Sequence, residues 1–358
     1  MKNVKVILIS VAMVATIFAN ARIDALGGDA GFWPGDRENA TAFPGTLNDA
    51  NWIEYDDVNG ATPNASINWG DDVKWGFNFD TSADNNNWMN MSWAKDGMGL
   101  RVGFVSASDA DGNGFDDDGN AISKDASGFD LGWGSTMSFG EIGVGYKSMD
   151  SGATGSEAQT SLTVNWRGDC NVWLFDNAKA SFAMNDGLTY AAAEWDPVPV
   201  NTGTGYSSMH LGYDLFTHLT PADGVTALVS MGFGYWSWDL DYTELNDAYE
   251  VVAMSADGSS MWLPKANLAV EAAMTDWATV RAFVSQDHTF SCDLAGSDCD
   301  TGNTTNYGFG LGFGWQAANG GSVNLDMVVD NSVFTDPIQS MTGFESLGSG
   351  KVTISYLF

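Results

Sequence analysis

The run from Asp109 through Asp111, Asn113 and Phe115 to Asp117 puts an oxygen ligand at every second position of a glycine-bearing turn. This is calcium-loop spacing, with Asp109, Asp111 and Asn113 at positions 1, 3 and 5, Gly114 at 6, the Phe115 carbonyl at 7 and Asp117 at 9. Position 12 is Asn120 rather than a bidentate Glu, so a Ca2+ ion held here is held weakly; a solvated acidic turn is the other reading. A second acidic stretch, 239–257, carries Asp239, Asp241, Glu244, Asp247, Glu250 and Asp257 without ligand spacing. Cys292 and Cys299 share one loop and would pair in an oxidising compartment, leaving Cys170 over. His210, His218 and His288 are scattered and form no metal pattern.

Catalytic arrangements are not assembled. No Gly-x-Ser-x-Gly occurs, and the phosphate-loop near miss at 345–353 has Glu345 for the required Gly and Val352 for Ser or Thr. The expectation is a protein that is not an enzyme. Fourteen basic residues against 46 acidic ones give a net charge of −32, which repels phosphate and excludes nucleic acid as a partner. A hydrophobic content of 44% with 13% aromatics is too high for a disordered chain.

Several of the sparse charges recur at one phase of an alternating pattern. In Tyr307-Gly308-Phe309-Gly310-Leu311-Gly312-Phe313-Gly314-Trp315 one face is large and apolar and the other is glycine throughout. Period-two alternation is the signature of a strand, because helical geometry would scatter those glycines over every side. Phe129, Leu131 and Trp133 interleave with Asp130, Gly132 and Gly134, and Met209, Leu211, Tyr213 and Leu215 with His210, Gly212 and Asp214. Aromatics sit towards strand ends, as at Trp75 and Phe79 or Tyr235 and Trp236, where amphipathic rings favour a membrane boundary. Eight steps from Tyr307 to Trp315 span about 26 Å, close to an outer-membrane apolar band once tilted.

The pattern predicts an all-β, transmembrane, antiparallel up-and-down barrel of about fourteen strands, with twelve to sixteen as the range. A hairpin from Trp52 to Trp69 would add a pair to fourteen. Short turns are expected near 95–97, 139–141, 168–171, 217–223, 274–276 and 318–321, with Cys170 in one of them. Register then sends Lys74, Arg101, Lys147, Arg167, Arg281 and Lys351 inward, together with Asp130, Asp214, Glu271 and Asp326, because a charge facing lipid costs several kcal/mol. Opposed charges on such a wall fit a polar permeation path or an interior stapled by ion pairs. The inward glycines fit either a closely packed plug or a wider lumen.

Residues 1–21 read as a secretory signal: Lys2 and Lys5, an apolar stretch from Val6 to Ala19, and the small-x-small site Ala19-Asn20-Ala21. Residues 22–50 follow as a periplasmic lead-in or a lumenal hatch, and 51–358 as the barrel. The ending Val352-Thr353-Ile354-Ser355-Tyr356-Leu357-Phe358 resembles that of the outer-membrane β-barrel family of Gram-negative bacteria, porins among them. The resemblance implies that Tyr356 and Phe358 are read by the barrel-assembly machinery. Residues 25–28 and 39–47, with Ala25-Leu26-Gly27-Gly28 and Phe43-Pro44-Gly45, resemble the opening of long-chain fatty-acid transporters, whose N-terminal segment folds into the lumen. That family commonly has Asn-Pro-Ala where this chain has Phe43-Pro44-Gly45.

The expected function is a porin-like channel in the bacterial outer membrane for passive diffusion of ions or small polar solutes. Its partners are lipid, the assembly machinery and the solutes. A hatch-gated barrel for hydrophobic compounds and a non-conducting structural or surface-interaction barrel are the alternatives. An open lumen points to the first, and an apolar pocket beneath residues 22–50 to the second.

Overall fold

A computed structural model describes residues 20–58, 63–80, 88–108, 114–115, 121–122, 125–150, 157–193, 200–245, 251–293, 299–317, 320–329 and 351–358. The expected signal lies outside them up to residue 19. Sixteen antiparallel strands close into one barrel, each bonded to its neighbours in sequence and the first to the last. They are β1 (Trp52–Asp56), β2 (Asn64–Gly70), β3 (Val73–Asp80), β4 (Trp88–Lys95), β5 (Met98–Ser108), β6 (Asp125–Met137), β7 (Gly140–Asp150) and β8 (Glu157–Val172). Then come β9 (Phe175–Ala193), β10 (Val200–Ala222), β11 (Val225–Leu245), β12 (Val251–Thr275), β13 (Ala278–Asp293), β14 (Cys299–Gln316), β15 (Ser322–Val329) and β16 (Val352–Leu357).

The count is two above fourteen and at the top of the expected range; the extra pair is the Trp52–Trp69 hairpin, β1 and β2. β1 also closes the barrel, with Trp52 opposite Leu357 and Tyr55 opposite Ile354. Closure removes the free edges that an open sheet would expose in lipid. Among the described residues no helix is long and apolar enough to cross a membrane.

Strand alternation sorts the side chains. Leu100, Val102, Phe104, Phe129, Leu131, Leu211 and Tyr213 are exposed on the outer face, which is the apolar band a lipid-facing wall needs. The short turns carry their own signals: Asp96 and Gly97, both at positive φ (52° and 75°), make the Asp-Gly turn between β4 and β5. Between β8 and β9 the turn falls at Trp173-Leu174, not at 168–171. Cys170 therefore lies within β8, its Sγ 3.9 Å from the outward Tyr213 hydroxyl. Trp236 also departs from expectation: it shares the inward phase of β11 with Leu228 and Ser230, while Tyr235 faces out.

The hydrophobic core sits inside the barrel. Residues 20–50 form a compact segment with a helix at Ala21–Asp24, a 3-10 turn at Ala30–Phe32, a helix at Asn39–Ala42 and a second 3-10 turn at Pro44–Asn48. The Asn20 side chain caps the first helix by accepting from the Ile23 amide at 3.0 Å. Gly27 and Gly28, at φ +104° and +78°, end it, with the Gly28 amide donating to the Ile23 carbonyl at 2.8 Å. Ile23, Leu26, Phe32 and Trp33 pack on Phe216, Leu228 and Ala269 of the inner wall, and Leu47 packs on Trp52 and Ala94. Each such side chain removed from water contributes about 1.5–3 kcal/mol. The segment is a plug.

The glycine faces now have a cause. A Cβ on Gly99 would collide with the Pro44 carbonyl oxygen, one on Gly143 with that of Ala42, and one on Gly310 with the Ala25 methyl group. On Gly134 it would lie 2.7 Å from Pro44. Strand backbone and plug backbone thus touch at positions where any side chain would hold them apart.

Leu131→Arg, on the lipid face, should lower the unfolding free energy of the folded barrel by about 2–4 kcal/mol in a urea titration, whereas Leu131→Phe should be tolerated. Equal stability of the arginine variant would contradict the assigned register.

Candidate functional site

Parity fixes which residues face the plug. On β8, β9 and β13 the odd positions point inward, which brings Arg167, Lys179 and Arg281 to the lumen; on β10 and β15 the even positions do so with Asp214 and Asp326. Arg167, Asp214, Arg281 and Asp326 are buried. Lys74, Arg101, Asp130, Lys147, Glu271 and Lys351 complete the inward charges expected from sequence. Six of the ten belong to the networks that hold the plug, Arg167, Glu271 and Lys351 by direct contact and Asp214, Arg281 and Asp326 through neighbouring charges.

One chain of ion pairs runs from the wall into the plug. Arg281 of β13 donates to Glu271 of β12 at 2.6 Å and to Asp326 of β15 at 2.7 Å. Glu271 also receives the plug's Arg22 at 3.0 Å, and Arg22 in turn holds Asp36 of the plug. A second clamp is built on Arg167, whose Nη1 donates to the Asn39 Oδ1 at 2.9 Å and to the Gly31 carbonyl at 3.2 Å, while its guanidinium pairs with Glu141 and lies 4.6 Å from the Phe43 ring centroid. Lys179 makes the third: it pairs with Asp29 of the plug and stands 3.4 Å from Asp214 and 4.0 Å from the Phe32 ring centroid. The fourth closes the seam. Lys351 reaches Asp56 at 2.7 Å and the plug's Asp24 at 3.4 Å. Beside it the Ala21 amide donates to the Thr353 hydroxyl at 2.8 Å, and that hydroxyl donates to Asp56. Arg37 of the plug pairs with Glu54.

The remaining expected positions stand apart from the plug. Arg101 pairs with Asp130 at 3.0 Å within the wall. The Lys147 ammonium lies 4.3 Å from the Trp88 ring centroid. Lys74 donates to Asn51 and to the Gly70 carbonyl, both at 2.7 Å. Of the calcium candidates, Asp109, Asp111, Asn113 and Asp117 lie outside the described residues; Phe115 pairs with Ala121 in a two-residue ladder. Cys292 and Cys299 are opposite each other on β13 and β14 and joined by a disulfide. Tyr356 and Phe358 stack at 5.6 Å beside the last strand, and Phe358 is exposed.

Sequence reasoning missed Lys179, Glu54, Asp56 and Glu141, and all the charges of the plug. Glu54 and Asp56 were legible as inward, since they alternate with Ile53 and Tyr55. Lys179 sits between Ala178 and Ala180, where alternation has little contrast.

Taken around the circumference, the plug meets the inner face of all sixteen strands and spans the lumen from wall to wall. Beneath it, a cavity of about 510 Å³ is walled by Arg22, Asp36, Arg37, Arg281, Asn324 and Asp326, with Trp33 and Trp52 at its sides. Its lining is mixed, with Pro34, Trp277 and Leu357 beside the charges, and the charged groups set its character.

No protein-family model matches the chain, and no characterised protein sequence does. Solved barrels resemble it in shape. The copper transporter OprC superposes with a TM-score of 0.40 at 10% identity over 78% of this chain and 43% of that one. A loop L8 deletion mutant of OmpT, an outer membrane protein of Vibrio cholerae, gives 0.36 at 9% identity over 86% and 95%. The Pseudomonas putida toluene transporter TodX gives 0.29 at 9% identity over 95% and 96%. The chain spans less than half the length of OprC. At these scores the likeness is one of architecture, and neither copper nor toluene passes to this chain.

Four plug carboxyls are displaced from their ordinary range: Asp24, Glu38 and Asp49 upward, chiefly by burial, and Asp29 downward, where burial is outweighed by Lys179 and the Gly31 amide. Burial pushes Asp24 up to about 6 against the opposing pull of Lys351, with Asp56 and Asp57 adding repulsion. Burial and the carboxylates of Glu54 and Asp36 hold Glu38 well above the usual range. The Asp24 carboxyl favours the docked state while protonated, so its contribution is complete below about pH 4 and is lost as pH rises through about 6, and Glu38 acts with the same sign. Asp29, held down against burial by Lys179, acts with the opposite sign at lower pH. Protease protection of residues 20–50 should accordingly be greater at about pH 5 than at pH 7, and Asp24→Asn combined with Glu38→Gln should flatten that difference. Protection that rises over that range in the wild type would contradict this assignment. Arg167→Ala leaves the Glu141 carboxylate and the Asn39 Oδ1 without their partner and should weaken plug docking by about 3–5 kcal/mol, read as cleavage within residues 20–50 of an otherwise intact barrel.

Proposed function

We propose that this chain is a bacterial outer-membrane transport barrel for small polar solutes, with residues 22–50 as its gate. The observation that carries the reading is the plug itself, which spans the lumen and is held by ion pairs as well as by apolar packing. A pure staple would be served at least as well by an apolar interior, because replacing a buried ion pair by packed hydrophobic groups is often neutral or stabilising. Charge pairs are instead bonds that water and solute ions can compete for once the site is wetted. The closed lumen weighs against an always-open diffusion pore. The charged groups lining the cavity beneath the plug weigh against a conduit for hydrophobic compounds.

Delivery fits the same reading. The export signal expected over residues 1–21 and the stacked Tyr356 and exposed Phe358 at the end of the closing strand suit a chain handed to the outer-membrane assembly machinery. The outward apolar band suits residence in lipid.

The test is planar-bilayer conductance of the refolded barrel. The wild type should be closed for most of the record. Arg167→Ala combined with Lys179→Ala, which removes two clamps from β8 and β9, should give stable ohmic steps. A wild type that conducts as freely as the variant would contradict gating, and a folded variant that stays silent would point to a structural barrel instead.

A further inference from the structure

Further along the strands from the residues that meet the plug, the inward wall is richer in amides, hydroxyls and indoles. On β2, β3 and β4 the even positions are inward, as buried Asn68 and Ala94 show. They carry Asn64, Asn78 and Asn90, which form an amide ladder: Asn78 Nδ2 donates to Asn64 Oδ1 at 2.7 Å and Asn90 Nδ2 to Asn78 Oδ1 at 3.3 Å. Across the lumen amide and hydroxyl chemistry continues, with Asn185 Nδ2 donating to the Ser208 hydroxyl at 3.2 Å and the Ser260 and Ser291 hydroxyls hydrogen-bonded at 3.0 Å. Two buried oxygens of the ladder region, Asn90 Oδ1 and Asp80 Oδ1, have no hydrogen-bond partner.

Indoles line the rest of this level. Leu228 in the plug's core fixes the even positions of β11 as inward, so Trp236 and Trp238 face the lumen. On β12 a bulge around Leu263-Pro264 shifts the inward phase from odd to even, because Gly232 pairs with Lys265 but Gly234 pairs with Trp262. Trp262 is thereby turned inward, 6.4 Å from the His210 ring and 3.0 Å from where a Gly234 Cβ would stand. Without that bulge its ring would face lipid with Leu263's neighbours. Trp88 on β4 adds a fourth indole, covered by the Lys147 ammonium.

Neutral amides and hydroxyls with spare hydrogen-bonding capacity, interleaved with flat indole faces, match one solute class. A pyranose offers apolar C–H faces that stack on indoles and rim hydroxyls that both donate to and accept from amides. An ion would need several unpaired charges, whereas Arg101 is engaged with Asp130, Lys147 with Trp88 and Lys265 with Asp214 at 3.9 Å, which leaves Asp80 as the carboxylate of the ladder region with an unpaired oxygen. A hydrocarbon would leave the amide ladder desolvated and unpaired.

We infer that the inward wall beyond the plug, formed by the Asn64–Asn78–Asn90 ladder and the indoles of Trp236, Trp238 and Trp262, binds neutral oligosaccharides as the solutes the barrel admits. The inference rests on the transport reading for its purpose but not for its test, since binding to the closed barrel does not require the gate to move.

The experiment is titration of the intact, folded wild-type barrel in detergent by calorimetry and tryptophan fluorescence. The probes are maltohexaose, cellohexaose, xylohexaose and chitohexaose, with laurate and toluene alongside. Saturable binding of at least one hexasaccharide is expected. Trp236→Ala with Trp262→Ala should weaken it at least tenfold, Trp262→Phe should retain most of it, and Asn78→Leu should weaken it with the indoles in place. No binding of any hexasaccharide would overturn the inference, as would binding of laurate or toluene alone, or saccharide binding indifferent to these substitutions. Plug-release variants that conduct while no saccharide binds would leave gating standing and remove only the substrate class.

Discussion

A charge on the inner wall of a barrel cannot escape to lipid and is expensive to leave unpaired, so something must meet it. In this protein that constraint organises the interior. Arg281 answers Glu271 and Asp326, Glu271 reaches on to Arg22, and Arg22 holds Asp36. These wall charges are completed by the plug or by a neighbouring strand, and the plug's own fold is completed by the wall. Its helices are four residues long, too short to persist in water without tertiary support.

The glycines and the charges are two halves of one arrangement. Charge pairs need distances near 3 Å, and those are reachable only if backbone can approach backbone. Gly99, Gly134 and Gly143 lower the wall beneath Ala42, Pro44 and Gly45, and Gly310 receives Ala25. The same strands present Leu100, Leu131 and Tyr146 to the outside. A strand that is bulky outward and bare inward therefore anchors in lipid on one face and accepts a second backbone on the other.

How much of this was legible in sequence depends on contrast. Where apolar and glycine or charged residues alternate sharply, as at 307–315 or 129–134, strand, phase and lumen side all follow from the chain. β1 and β2 were the weaker case: Trp52-Ile53-Glu54-Tyr55-Asp56 is five residues long and stood only as an optional hairpin, which is why the count centred on fourteen. Trp236 was placed at a membrane boundary because a ring near a strand end suits one; only the parity set by Leu228 shows that it faces inward. The plug posed a harder problem. Its short helices and turns have no period, and its contacts reach residues such as Thr353, 332 positions from Ala21. A lead-in and a hatch are equivalent in sequence; the difference lies in those distant contacts.

The central claim is that residues 20–50 are held in the lumen as one unit by the wall charges. Hydrogen–deuterium exchange of the wild-type barrel and of Arg167→Ala in lipid nanodiscs tests it most directly. The account predicts that amides from Ala21 to Leu47 are protected together in the wild type and lose protection together in the variant, while strand amides are unchanged. Exchange of that segment at the rate of an unfolded peptide in the wild type would contradict it.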